Sequence, residues 1–122
     1  MKSLCAWFEI PVDDFDRAKK FYEKVMGLEI TEQEFLDTKL GMFPSEGYAN
    51  SGCISKCENH SPSKDGTLVY LNAGEDLHEA LSRVEPAGGK VITHKTKISD
   101  EHGYMAAFLD TEGNRVALLS KK

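Results

Sequence analysis

The sequence repeats one pattern at an interval of 62 residues. In each copy an apolar extended segment is followed by acidic residues, an amphipathic helical pattern and a glycine. Four positions of the first copy recur in the second, namely Asp14, Phe15, Ala18 and Gly27 as Asp76, Leu77, Ala80 and Gly89. Because a unit of about 60 residues buries too little surface to be stable alone, two copies packed together are expected.

The first copy predicts a strand, a helix and three more strands. Residues 4–12 alternate as a strand does, with Trp7 and Glu9 on one face. The helix is predicted to begin after Asp13 or Asp14, either of which suits an N-cap, and to end at Gly27. Its apolar stripe recurs at three- and four-residue spacing: Phe15, Ala18, Phe21, Tyr22, Val25 and Met26. The later strands are predicted over 28–36, 38–43 and 51–57.

The second copy repeats this order. Asp76 and Glu79 have the spacing of a capping box and predict the second helix. Strands are predicted over 67–73, 90–96, 103–110 and 114–120. The fold class is therefore α+β, with two β-α-β-β-β modules in one domain of residues 1–122: module one at 4–57, a polar linker at 58–66 and module two at 67–120.

Charge and composition exclude several classes of function. The net charge is −5 and no cluster of Lys or Arg is present, so neither nucleic acid nor an anionic membrane is an expected partner. No apolar run has the length of a membrane span and no signal peptide is visible. The odd set of Cys5, Cys53 and Cys57 is then interpreted as reduced thiols, which predicts a cytoplasmic protein.

Two motifs, VDDFDRAKKFYEKVMG after the first strand and DTEGNRVALL near the end, resemble those of the vicinal oxygen chelate superfamily. That superfamily includes glyoxalase I, bleomycin-resistance proteins, extradiol dioxygenases and epimerases. The resemblance implies curved sheets around a cleft and a homodimer. It also implies a divalent metal held by His or Gln and Glu side chains from the first and last strand of each module.

The superfamily's ligand positions can be carried onto this chain by the two motifs and the repeat interval. They fall on Trp7, Ser55, Val69 and Ala117. Indole, isopropyl and methyl groups offer no lone pair to a metal ion, and a serine hydroxyl is a weak ligand. The expectation is therefore that the metal site is absent and that no cofactor is bound, which argues against glyoxalase-type activity.

Glu9 is the strongest candidate for chemistry. A carboxylate beside Trp7 in an apolar cleft tends to have a raised pKa, and it can act as a general base or bind a cationic group. The structural alternative is a strand carboxylate paired with a Lys or a backbone N–H group. The residues predicted to line the ligand cleft are Trp7, Glu9, Phe43, Tyr48, Cys53, Ser55, Val69, Met105, Phe108 and Ala117.

Three functions remain open from the sequence. The first is a metal-free small-molecule-binding protein, similar to bleomycin-resistance proteins. The second is a lyase, isomerase or dioxygenase of glyoxalase type that uses displaced metal ligands, for example Glu9 or a set of His94, Glu101 and His102, or that uses Glu9 as a metal-free base. The third is an interaction partner whose cleft is filled by Trp7 and Val69.

Overall fold

A computed structural model of the chain describes residues 4–45 and 51–122. The described elements of the first module are β1 (Phe8–Pro11), α1 (Phe15–Met26), β2 (Thr31–Phe35), β3 (Thr38–Met42) and β4 (Gly52–Lys56). Those of the second are β5 (Val69–Asn72), α2 (His78–Val84), β6 (Lys90–Ser99), β7 (Gly103–Leu109) and β8 (Arg115–Ser120). The β-α-β-β-β order predicted from the sequence is confirmed in both modules.

Each module builds one four-stranded mixed sheet. The strand orders are β1-β4-β3-β2 and β5-β8-β7-β6. The first and last strands of a module run parallel, and the other neighbours are antiparallel. β1 and β5 are therefore edge strands, and each lies beside the most buried strand of its sheet.

Local sequence signals determine the ends of α1. The Asp14 carboxylate accepts a hydrogen bond from the Arg17 backbone N–H at 3.1 Å, as an N-cap residue does. Gly27 ends the helix with a φ of 64°, a left-handed conformation that glycine adopts without steric cost. Both ends lie where the sequence places them.

The start of α2 differs from the prediction. Its N-cap residue is Leu77, which makes no side-chain cap hydrogen bond, so the capping box of Asp76 and Glu79 is not formed. The Asp76 carboxylate instead accepts from the His78 backbone N–H and from the Lys95 side chain, both through Oδ1. Asp76 lies one residue before the N-cap position, so its carboxylate makes a tight turn before the helix.

The two modules share one hydrophobic core. The Phe21 ring of α1 packs on Phe108 of β7, with their centroids 5.7 Å apart. Tyr22 packs edge-on against Phe43 of its own module, and its hydroxyl donates to the Asp110 carboxylate of the other module at 2.6 Å. Helix α1 therefore contacts both modules, and its apolar face belongs to one core that the two modules share.

A buried carboxylate also joins the modules. Glu112 of the β7–β8 turn accepts hydrogen bonds from the backbone N–H groups of Asp13 and Asp14 at 2.9 and 2.7 Å. It also accepts from Arg17 Nε at 2.7 Å and from Thr111 Oγ1 at 2.8 Å. Burial alone would raise the pKa of Glu112, but the hydrogen bonds from Arg17 and the backbone outweigh it and lower the pKa to about 2.

Neither α1 nor α2 is long enough to cross a membrane, and no other helix occurs in residues 4–45 and 51–122.

Candidate functional site

A cavity of about 360 Å³ lies between β1, the 58–66 linker and the end of the β7–β8 turn. This volume is at the lower end of the range typical of small-molecule pockets. Its apolar wall comes from Trp7, Phe8, Pro11 and Val69. Its polar wall comes from Glu9, His60, Ser61, Ser63, Thr67 and Asn114, and Gly66 completes the lining.

The alternation of β1 directs Trp7 and Glu9 to this cavity. Ile10 is 3% exposed and Phe8 packs against the core, so these two residues hold the inner face of the strand. Trp7, which immediately precedes β1, is 43% exposed, and Glu9 is also exposed. The strand is shorter than the predicted 4–12, but the structure places the indole and the carboxylate together, as the sequence pattern suggested.

The β1–β4 register brings Cys53 next to Glu9. Glu9 pairs with Cys53, and Pro11 pairs with Ser55. Cys53 is buried, and this burial raises the pKa of its thiol to about 11; the nearby Glu9 charge acts in the same direction, while a hydrogen bond with the Trp7 side chain opposes it. Near neutral pH the thiol therefore stays protonated, so Cys53 is suited neither to nucleophilic attack nor to binding a metal.

Ser55 leaves a polar atom unsatisfied. Its side chain is fully buried, and its Oγ has no hydrogen-bond partner within the described structure. An unpaired buried hydroxyl normally destabilises a fold by about 1–3 kcal/mol. The Ser55 hydroxyl is a weak metal ligand, so Ser55 and the protonated Cys53 thiol together do not provide a site for a divalent ion.

Asn114 organises the polar wall of the cavity. Its Oδ1 accepts from the Ser63 backbone N–H at 3.0 Å, which fixes the linker. Its Nδ2 donates to the Pro11 carbonyl at 2.7 Å and to the Asp110 carboxylate at 3.0 Å. One buried amide therefore holds β1, the linker and the β7–β8 turn around the same space. The prediction of the site missed this residue, although it belongs to the DTEGN motif.

Two residues predicted to line the cleft lie in the core instead. Phe108 is fully buried against Phe21, and Phe43 contacts Phe8 and Tyr22 beneath α1. Phe108 lies on β7 and Phe43 immediately after β3, and both rings are buried, so neither is open to a ligand. Three other predicted residues have different locations: Met105 and Ala117 lie on the sheet face that turns away from the helices, and Tyr48 lies outside the described residues.

Val69 shows why the single repeat interval fails. β1 begins at Phe8 and β5 at Val69, an interval one residue shorter than that of the repeat. Val69 therefore packs against the core as Phe8 does, although it also reaches the cavity wall. By strand register Ala117 pairs with Tyr70, whereas Val69 pairs with Val116. Val69 is thus equivalent to Phe8 and not to Trp7, although it lines the cavity.

The residues do not fit the superfamily's metal. No group of three His, Cys, Asp or Glu side chains that could hold a metal ion occurs in the described ranges. The displaced set of His94, Glu101 and His102 is exposed along β6 and the following turn and forms no such group. Among the described residues of the Glu9 cavity, His60 is the one other side chain of a type that binds a divalent ion, since the Trp7 indole and the protonated Cys53 thiol do not.

A larger cavity of about 750 Å³ lies on the sheet of the second module. Tyr70 and Leu119 form its apolar part. Two of its carboxylates are already paired, Glu75 with Lys121 and Asp100 with Lys97. Glu101 and His102 of the displaced set line this cavity, but none of the residues predicted to line the ligand cleft does. We therefore base the functional argument on the cavity at Glu9.

The topology and the shared core define a protein of two paired β-α-β-β-β modules. The family model of the Glyoxalase/Bleomycin resistance protein/Dioxygenase superfamily matches residues 5–118, so the chain belongs to that superfamily. A glyoxylase-like domain-containing protein of Didymella fabae is 29% identical over 118 residues, which cover 93% of this chain and 90% of that protein.

Solved structures share the fold at low sequence identity. A glyoxalase/bleomycin resistance protein from Albidiferax ferrireducens is 17% identical, with a TM-score of 0.68 and 98% and 100% of the two chains covered. TnmS3, an antibiotic-binding protein from a Streptomyces species, is 22% identical, with a TM-score of 0.67 over 98% and 97% of the chains. A variant of glyoxalase I from Zea mays is 20% identical with a TM-score of 0.68; the match covers 95% of this chain but only 45% of the maize protein.

Proposed function

We propose that this protein binds a small organic molecule, without a metal ion, in the cavity formed by β1, the linker and the β7–β8 turn. The observation that carries the proposal is the meeting of an exposed indole, an unpaired carboxylate and the linker hydroxyl groups around about 360 Å³. A mostly apolar concave site with a few directed polar groups is the usual form of a ligand pocket.

The side chains around Glu9 support binding rather than metal-assisted catalysis. A divalent ion needs several imidazole, carboxylate or thiolate ligands, and among the described residues that line the cavity only Glu9 and His60 have side chains of these types. The superfamily contains proteins with glyoxalase names and one described as antibiotic-binding. We place this chain functionally with the binding proteins.

Metal-free catalysis with Glu9 as a general base is the weaker candidate. A base needs a second group that stabilises the charge formed on the substrate, such as an oxyanion hole or a cation. The described lining of the cavity contains no Lys or Arg side chain. Binding therefore accounts for the residues present with fewer requirements than a reaction does.

A thermal-shift experiment tests the proposal. EDTA-treated protein is screened against aromatic fragments of positive, zero and negative charge, and separately against Zn²⁺, Ni²⁺, Mn²⁺ and Fe²⁺. A fragment at 100 times its dissociation constant should add about 2.7 kcal/mol of stability. We expect fragments to raise the melting temperature and the metals to leave it unchanged. A saturable one-to-one shift with a metal would contradict the metal-free part of the proposal.

Two variants locate the binding site. Trp7→Ala removes the aromatic wall of the cavity at Glu9, whereas Tyr70→Ala removes an equally exposed ring from the larger cavity. We expect fragment binding to be lost in the first variant and kept in the second. The reverse result would move the ligand site to the sheet of the second module.

We also propose that the folding unit spans residues 1–122, that it associates as a homodimer and that it is cytoplasmic. Exposed apolar side chains support association, including Phe35 at 65%, Leu36 at 85% and Tyr70 at 47% exposure. Exposed apolar residues that lie together, as the sequence neighbours Phe35 and Leu36 do, can belong to a protein interface. Analytical ultracentrifugation across a concentration series tests it, and a monomer at all concentrations would contradict the dimer.

A further inference from the structure

The cavity at Glu9 has a simple charge pattern. Among the described residues that line it, Glu9 is the one carboxylate, His60 is the one imidazole, and no Lys or Arg side chain occurs. Arg115 lines an adjoining recess of about 40 Å³ that Glu9 also borders. No ion pair joins Arg115 to Glu9 in the described structure, whose ion pairs all involve other carboxylates.

The Glu9 carboxylate has no hydrogen-bond or ion-pair partner among the described residues, whereas other structured carboxylates of the chain are well supplied. Glu112 accepts from Arg17 and from two backbone N–H groups, and Asp76 accepts from Lys95 and His78. The carboxylate at the cavity is therefore available to a group from outside the chain.

Trp7 and Glu9 are placed to act on one ligand atom. They are two residues apart on the same side of an extended segment, so their Cβ atoms are about 7 Å apart. An ammonium group within about 3 Å of the carboxylate can also lie within about 6 Å of the indole ring, the range of a cation–π interaction. The two side chains together favour a positive charge more than either does alone.

The remaining walls indicate what carries that charge. Pro11 and Val69 are apolar, the linker contributes the hydroxyl groups of Ser61 and Ser63, and Thr67 adds a third hydroxyl immediately after the linker. An anionic ligand would meet Glu9 with no lysine or arginine on these walls to balance its charge. A ligand with an apolar ring and a protonated amine would place the ring against the apolar residues and the amine at the Glu9 carboxylate.

We infer that the ligand of this cavity is an organic cation, namely a protonated amine attached to an apolar ring, with the ammonium between Glu9 and Trp7. The inference rests on the proposed function, since it specifies the class of molecule bound at the same site. It requires selection by charge, which the proposed function alone does not.

A matched ligand series tests the inference. Phenethylamine, phenethyl alcohol and phenylacetate have similar shapes and carry positive, zero and negative charge at neutral pH. Trp7 is the one tryptophan of the chain, so its fluorescence reports on this cavity without labelling. We expect phenethylamine to bind about tenfold more tightly than the alcohol, and phenylacetate not to bind.

Two glutamine variants separate the local charge from the total charge. In Glu9→Gln we expect phenethylamine to lose its advantage and to bind as the alcohol does. Glu34→Gln changes the net charge by the same amount at an exposed position of β2 that lines none of these cavities. This control should keep the full preference for the amine. Added salt should reduce the preference in the wild type and leave Glu9→Gln unchanged.

The possible outcomes distinguish the two proposals. Equal affinities for the amine and the alcohol in the wild type would overturn the inference while leaving small-molecule binding intact. A preference for the amine that persists in Glu9→Gln would also overturn it. If no member of the series changes the Trp7 fluorescence of the wild type, both the inference and the assignment of this cavity as the ligand site fail.

Discussion

Glu9 and Glu112 are two carboxylates of the same chain in opposite situations. Glu112 has a side chain inaccessible to solvent, and every donor near it comes from the protein itself. Glu9 is exposed on an edge strand and has no hydrogen-bond or ion-pair partner in the described structure. The first joins the two modules, and the second faces a cavity between them.

The difference separates structural from functional use of a charge. A carboxylate whose hydrogen bonds are satisfied internally contributes to stability and has little capacity left for a ligand. An unpaired carboxylate beside an aromatic wall contributes little to stability and can select a ligand by charge. Substitutions at the two sites should therefore change different measurements.

The largest effect is expected from Glu112→Ala. This change leaves the N–H groups of Asp13 and Asp14 without their acceptor and removes the ion pair with Arg17. The loss of these charge-assisted hydrogen bonds to a buried carboxylate should lower the free energy of unfolding by about 2–3 kcal/mol. Urea denaturation measures it, and Glu9→Gln is the control, with an expected change below about 0.5 kcal/mol. Equal decreases in the free energy of unfolding for the two variants would show that Glu9 is as important for stability as Glu112.

A second prediction concerns acid. The pKa of Glu112 is lowered from 4.5 to about 2, so its contribution is fully present above pH 4.5 and is lost as the pH falls towards 2. The stability difference between wild type and Glu112→Gln should therefore shrink over this interval by up to about 1.4 kcal/mol per pH unit. Urea midpoints across the interval measure it. A difference that stays constant would show that the carboxylate is not held in its charged form.

Tyr22→Phe should have a smaller effect. The fully buried Tyr22 hydroxyl donates to Asp110, and its pKa is raised well above 10 by burial and by the Asp110 charge. Without this donor, Asp110 still accepts hydrogen bonds from the backbone and side chain of Asn114. We expect a loss of about 1–2 kcal/mol in urea denaturation. A loss as large as that of Glu112→Ala would place the main link between the modules at Tyr22.

The smallest effect is expected at Cys53. Because the pKa of its buried thiol is about 11, Cys53 should resist iodoacetamide near neutral pH, and Glu9→Gln should increase its reaction only a few-fold. Mass spectrometry after timed alkylation measures both rates, with the partly exposed Cys57 as the internal control. Rapid alkylation of Cys53 in the wild type would show that its thiol is accessible to the reagent and would contradict the prediction.

The sequence predicted what depends on neighbouring residues. The ends of α1 follow from Asp14 and Gly27, and the common face of Trp7 and Glu9 follows from the alternation along the first strand. These features need only contacts within a few positions, so the local pattern contains them.

Features that depend on distant contacts were not predicted. β7 is apolar along its whole length, so alternation alone could not show that Phe108 faces the helices. The role of Asn114 depends on Ser63 and Pro11, which are 51 and 103 positions away. The two modules also differ in loop length. As a result β5 begins 61 residues after β1, whereas the buried alanines of the two helices are 62 residues apart, so one interval cannot align both elements.

The bond between Arg17 and Glu112 spans 95 positions of the chain. During synthesis, α1 emerges from the ribosome long before Glu112 has been added, and Phe21 lacks its contact with Phe108 until β7 follows. Contacts between such distant positions form slowly, and apolar surface that waits for them is prone to aggregate. A nascent chain of the first module should therefore depend on chaperones, or on a slow rate of synthesis, until residue 112 is available.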